Sequence, residues 1–295
     1  MRKITLLLIL AGAYMSPSFA AVTPTDVYHQ ATLINTQINA LKKANAPNFQ
    51  PRVPGIQLGK TPLHVYGKSL ELMEKIQRYQ VQHQLPQLTL PQLPSKRVKP
   101  KSVLKLLEQT QVQLDSILRA NNIAVDLTAI KAQTKSRTPS DVYEKIWQAS
   151  FAMDALVAAI KPADVMRNAH MIEAALVQVA ERRGRKMSLP AIQQFSGKKP
   201  ADVTLQLHKL LYRLAKLERK LKLKPLIVPA FPAGKIKPED AYDVTGNVLA
   251  DLTRIAIKLK IPAVERQPVP SGKITPNNVY AQIVRLNAGA QQLID

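Results

Sequence analysis

Basic side chains are the residues of this sequence best placed to do chemistry, because they are concentrated. Between Glu181 and Lys224 the chain carries 13 Lys and Arg against three acids. Arg182, Arg183, Arg185 and Lys186 form one short run around Gly184. Lys209, Arg213, Lys216 and Lys220 follow at intervals of 4, 3 and 4 residues, which on a helix makes one stripe about 16 Å long. A linear positive array attracts phosphate polymers, anionic lipid headgroups or acidic polysaccharides through counterion release and its local field. The bland alternative is a solvated face whose long stems lie over apolar surface. A solvated face usually mixes both signs and this one does not, so these eight residues are the candidate anion-binding set. A smaller group, Lys96, Arg97, Lys99 and Lys101, reads as the solvated end of a connecting segment.

Other chemistry is sparse. The sequence has no H-E-x-x-H, no G-x-S-x-G, no phosphate-binding glycine loop and no calcium loop. Five histidines, His29, His64, His83, His170 and His208, are scattered. His170 and Glu173 lie three apart on one helix face, in the reverse order of the pair used by di-iron bundles and without a companion motif. With no Cys there is no disulfide, thiolate ligand or thiol nucleophile. The acids stand mostly singly at predicted helix starts. A tyrosine recurs one place after the first buried position in five units (Tyr28, Tyr66, Tyr143, Tyr242, Tyr280). It is expected to pack its ring on neighbouring chain while its hydroxyl finds a partner. Trp147 stands alone. The expectation is therefore a protein that is not an enzyme, with no catalytic residues, no cofactor and no metal.

The elements that hold the basic residues come from a repeat. Pro24, Pro62, Pro100, Pro139, Pro162, Pro200, Pro238 and Pro276 each begin the same phrase, at intervals of 38, 38, 39, 23, 38, 38 and 38 residues. Proline suits the first helical position, where its missing N–H would be unpaired anyway. Thr23 with Asp26, and Thr138 with Asp141, make short-armed capping boxes. Lys99, Lys161, Lys199 and Lys237 are poorer caps, leaving proline and any following acid to supply the signal. Counting from each anchor, positions +3, +7, +10, +14 and +17 are apolar in 37 of 40 cases, the exceptions being Ser69, Thr110 and Thr245. This spacing puts one apolar seam on each helix. It predicts eight helices of about 20 residues, an all-α fold.

Proline-spaced apolar segments of 15 to 18 residues join the helices, as in Leu85 to Pro94. They read as extended straps. Fifteen extended residues reach roughly 50 Å, enough to carry the chain back to its starting end. Successive helices could then run parallel, although an up-and-down order also satisfies the pattern. The 23-residue interval between Pro139 and Pro162 has no room for a strap and predicts that units four and five are antiparallel neighbours. It divides the chain into two duplicated four-helix domains, residues 21–159 and 160–295.

The N-terminus reads as a signal peptide, residues 1–20. Met1-Arg2-Lys3 is basic, Ile4 to Tyr14 is apolar, and Ser18-Phe19-Ala20 places small residues for cleavage after Ala20. The formal net charge is +22 over 295 residues, and removing Arg2 and Lys3 leaves +20. The protein is expected in the periplasm or outside the cell. Its expected role is an exported, non-enzymatic helical-repeat binding protein whose basic surface engages lipopolysaccharide, acidic polysaccharide or nucleic acid. The alternative is a periplasmic scaffold or accessory subunit that docks a protein partner, with charge steering the encounter.

Overall fold

The computed structural model describes residues 21–295, so the signal-peptide reading of residues 1–20 lies outside the described residues. Eight helices follow: α1 (Pro24–Asn45), α2 (Pro62–Gln82), α3 (Pro100–Ala120), α4 (Pro139–Met153), α5 (Pro162–Arg182), α6 (Pro200–Lys220), α7 (Pro238–Leu259) and α8 (Pro276–Ile294). Every one starts on its anchor proline, and no strand occurs among the described residues. The capping boxes form as the sequence implies, with the Thr23 and Thr138 N–H groups donating to Asp26 and Asp141. At three of the four starts where lysine precedes proline, Lys161, Lys199 and Lys237, the lysine backbone N–H donates to the acid three residues on, Asp164, Asp202 or Asp240; α3, after Lys99, has no such acid. The acid does the work there and also faces the positive end of the helix dipole.

One length departs from expectation. α4 has 15 residues instead of about 20, because the chain must leave it at Met153 to reach Pro162 without a strap. At the other end, α2, α3, α5, α6 and α7 stop alike, on a left-handed residue 22 places after the anchor: Gln84, Asn122, Gly184, Lys222 and Lys260. The next N–H then bonds back five residues, as Leu85 does to Gln80 and Ile261 to Ala256. This is a Schellman ending. It turns the chain sharply into the strap.

The seam residues form two cores. All forty stripe positions are buried except Leu156, which is half-buried beyond the end of α4. The three polar members solve their burial locally, Ser69, Thr110 and Thr245 each donating to a carbonyl on the preceding turn. In the first bundle α1 and α2 each pack on α3 and α4; in the second, α5 and α6 each pack on α7 and α8. α1 and α2 therefore sit diagonally, as do α3 and α4, α5 and α6, and α7 and α8.

All four helices of each bundle run parallel. Pro24, Val27, Pro62, Val65, Pro100, Val103, Pro139 and Val142 meet around one small apolar funnel, and the eight equivalent residues of α5 to α8 meet around another. The straps make this possible. Helix side chains hold them: Gln80 accepts from the Leu88 N–H, and Glu218, its counterpart, accepts from the Leu226 N–H. The duplication shows in paired details. Lys60 lies 4.8 Å from the Tyr143 ring and Lys198 lies 4.6 Å from the Tyr280 ring.

The two bundles meet through α2 and α7. His64, early in α2, pairs with Asp251, late in α7, whereas Lys68 pairs with Asp243 nearer the start of α7. The two helices are therefore antiparallel, and so are the bundles. α4 and α5 run in opposite directions but do not pack on one another, since residues 154–161 carry the chain from one bundle to the other. The sequence places the reversal there, and the structure places the contact elsewhere.

Candidate anion-binding surface

Because the helices of the second bundle are parallel, all four of its C-termini lie at one pole. Each contributes roughly half a negative charge, about −2 together. The basic run after α5 answers this. Arg182 donates to the Leu259 carbonyl at the end of α7 (2.9 Å). Arg183 donates to the Leu293 carbonyl and Arg185 to the Gln292 carbonyl (2.7 Å), both in the last turn of α8. Three of the eight candidates thus cap helices that sequence alone could not place beside them.

The α6 stripe converges on the same helix. Arg213 donates to the Asn287 and Gln291 side chains of α8, 2.7 and 3.3 Å away. Lys209, Lys216 and Lys220 are exposed along the outer face of α6, and Lys186 is exposed beside the end of α5. The structure therefore brings the two groups together around the C-terminal turns of α8. A cleft of about 320 Å³ opens between the run after α5 and the end of α8, lined by Arg185, Lys186, Met187 and Gln292. The strap reaches this position because Gly289 of α8 leaves room for Leu189 and Met187, where a β-carbon would stand 2.6 Å from Leu189.

Charge still accumulates after the caps are counted. Three guanidiniums offset the helix ends, and Lys186, Lys209, Lys216 and Lys220 remain, with Arg219, Lys222 and Lys224 nearby in sequence. Burial, and then the adjacent Arg185 guanidinium, lower the pKa of Arg183. That is the direction expected of a cation held among cations.

Sequence reasoning missed a second charged region, between the bundles. Glu74 of α2 accepts from Arg78, Arg167 and Arg266 and from the Tyr242 hydroxyl. Lys68 sits between Glu71 (2.6 Å) and Asp243 (2.8 Å), and Lys75 bonds Asp154 and the Ser150 carbonyl. Arg52 reaches Asp240 and Arg78 reaches Asp164. Burial opposes each charge, but the partners win for Glu74, whose pKa falls well below the usual range, and for Lys68, whose pKa rises. Lys60 is the exception. Its ammonium is buried and its hydrogen bond is to the neutral Asn247 amide (2.7 Å). Burial lowers its pKa to about 8 despite the pull of Asp251.

His64 shows how the seam changes the repeat. It stands where α5, α6 and α7 have Asp. The Thr61 N–H donates to its Nδ1 (3.2 Å), and Nε2 lies 3.2 Å from Asp251. Burial lowers its pKa, so the neutral ring fills the acid's capping role beside a carboxylate that another acid would repel.

The seam is assembled for cohesion. Its cavity, about 70 Å³ between Glu71, Glu74, Tyr143, Arg167 and Tyr242, holds a few waters but no sugar or nucleotide. No group of acids and histidines among the described residues has metal-binding geometry, and Glu173 is engaged by Gln282 and Arg285. A wider cleft of about 570 Å³ beside His170 is lined by neutral residues, including Phe195, Gln193 and Asn278. The repeated tyrosines pack as expected: Tyr280 lies edge-on to Phe195 of a strap, and Arg137 of another strap stacks on Tyr28. The smaller basic group around Lys99 stays at a strap end, as the sequence implies.

Fold and surface together define a duplicated pair of parallel four-helix bundles, built from one-helix repeats. Compared with protein-family models, with curated proteins and with solved structures, the chain finds no match. No helix among the described residues is long and apolar enough to cross a membrane.

Proposed function

We propose that this is an exported, non-enzymatic binding protein whose second bundle engages an anionic envelope component or polymer: lipopolysaccharide, an acidic polysaccharide or nucleic acid. One observation carries the reading. Two basic groups far apart in sequence, one after α5 and one along α6, both reach the last turns of α8, and the first of them lines a cleft large enough for a phosphate or sugar-acid group. Arg182, Arg183 and Arg185 keep unused donors while capping helices, and Lys186, Lys209, Lys216 and Lys220 present free ammonium groups to solvent. Export through residues 1–20 to a periplasmic location accords with the cysteine-free composition and belongs to the same proposal.

The test is direct titration of residues 21–295 with lipopolysaccharide, an acidic polysaccharide and duplex DNA at low salt. The comparison is a variant with Lys186, Lys209, Lys216 and Lys220 changed to Gln. None of these four caps a helix, so the fold is retained. At least a tenfold loss of affinity in the variant supports the proposal and the best titrant names the anion class. Equal binding by both proteins refutes it.

A further inference from the structure

We propose that the cleft beside His170 binds a neutral N-acetylated saccharide. The inference goes beyond the polyanion reading and concerns the opposite pole of the second bundle, where its helices start. The cleft holds about 570 Å³, within the range of small-molecule sites. Its walls come from the early turns of α5 and α8 and from the straps that lead into α6 and α8. In a chain with a formal net charge of +22, not one Lys, Arg, Asp or Glu lines it.

The duplication shows what opened this space. One tie between strap and helix is kept in both copies: the Lys60 N–H donates to Ser140 Oγ (3.1 Å), and its equivalent, the Lys198 N–H, donates to Asn277 Oδ1 (2.8 Å). Other contacts hold the straps of the first bundle against α1 and α4 at the positions that line the cleft in the second. The Gln57 N–H donates to Glu144 (2.7 Å), the Arg137 N–H donates to Thr25 Oγ1 (3.0 Å), and the Arg137 guanidinium lies 4.2 Å from the centre of the Tyr28 ring. In the second bundle Glu144, Thr25, Arg137 and Tyr28 are replaced by Ala281, Ala163, Ile274 and Met166. None of those contacts can form there.

The groups that remain define the ligand. Met166, Ile274 and the half-buried Phe195 supply apolar wall. The amide oxygens of Asn277 and Asn278 accept from the Lys198 and Thr275 N–H groups, and their Nδ2 donors make no hydrogen bond among the described residues. Gln193 and Gln194, exposed at the rim, add further donors and acceptors. Unused amide donors beside apolar wall suit an uncharged ligand rich in acceptors, whereas a phosphate or carboxylate would meet no cation in the lining. An acetamido sugar carries the matching set: a carbonyl to accept from an asparagine amide, a methyl group for the apolar wall, and ring hydroxyls for the glutamines.

The experiment titrates residues 21–295 with tri-N-acetylchitotriose, maltotriose, the blocked peptide acetyl-trialanine amide and a DNA duplex, using calorimetry and ligand-observed NMR. Met166→Tyr with Ile274→Arg installs the stacked pair of the first bundle and fills the cleft. Gln193→Ala with Gln194→Ala changes only exposed side chains and keeps the test decisive if the filled variant folds poorly. Support consists of saturable 1:1 binding of tri-N-acetylchitotriose that falls at least tenfold in the filled variant and at least threefold in the glutamine variant, with DNA binding undiminished in both. Failure of tri-N-acetylchitotriose to bind, equal affinity for maltotriose or for the peptide, or indifference to the glutamine variant overturns the proposal. Loss of saccharide binding when Lys186, Lys209, Lys216 and Lys220 are changed to Gln would place the sugar at the basic pole and overturn it too. DNA binding lost in that four-lysine variant alone, with saccharide binding intact, supports two separate sites.

Discussion

α2 and α6 share an interior and differ in what lies against their outer faces. Leu72 and Leu210 occupy the same seam position, and both are fully buried. Outside the seam, α2 alternates signs and meets the aspartates of α7, whereas α6 carries cations interrupted by Leu205 and Tyr212 and meets solvent. The same helical frame thus supports a neutralised joint in one copy and an unneutralised surface in the other. Charge on this scaffold becomes structural or available according to whether counterions are supplied from within.

The largest expected effects leave the comparison unbroken. Leu72→Asp and Leu210→Asp each place a carboxylate in a sealed stripe and should destabilise by about 4 kcal/mol or more. Urea unfolding followed by circular dichroism would show it. If either is tolerated, the seam does not hold the bundles.

The outer positions should then separate the copies. Glu74→Gln leaves Arg78, Arg167 and Arg266 facing a neutral amide and should cost about 3 to 5 kcal/mol. Tyr212→Gln, at the equivalent site on α6, should stay within about 0.5 kcal/mol. Similar losses in the two variants would mean that α6 is covered after all.

A smaller effect has the opposite sign. Lys60 titrates near 8 when folded and near 10.5 when unfolded, so the unfolded chain binds its proton more tightly. Stability from this group is complete above about pH 10.5 and is lost as pH falls through 8. At pH 7 the buried cation therefore burdens the fold by up to about 3 kcal/mol. Lys60→Met should raise stability at pH 7 by less than that, because Asn247 loses a donor, and the gain should fade between pH 8 and 10.5. Its equivalent, Lys198→Met, should change little, since that side chain is only half-buried. Melting curves of both variants at several pH values would compare them.

The sequence made the interior legible because a seam is a local regularity. Proline at the first position, apolar residues at +3 to +17 and an acid three places after the cap all lie within one unit, and the eight helix starts follow from them. The 23-residue interval likewise marks the reversal between halves. Strap length allowed parallel packing without requiring it, because an extended segment can lead to either end of a bundle. The seam between bundles was illegible for another reason. Lys68 and Asp243 are 175 residues apart, and Glu74 and Arg167 are 93 apart. Charges beside an apolar stripe look solvated until the other half of the molecule is placed on them. The basic candidates were found by concentration alone, but the capping roles of Arg182, Arg183 and Arg185 required the ends of α7 and α8.

Lysine footprinting tests the central contrast most directly: brief acetylation of residues 21–295, read by mass spectrometry, with and without a saturating polyanion. Lys60, Lys68 and Lys75 should react at least tenfold more slowly than Lys186, Lys209, Lys216 and Lys220, and only the latter four should gain protection when the polyanion is added. Equal reactivity of the two sets, or protection spread evenly over the surface lysines, would contradict the division between a neutralised joint and an available face.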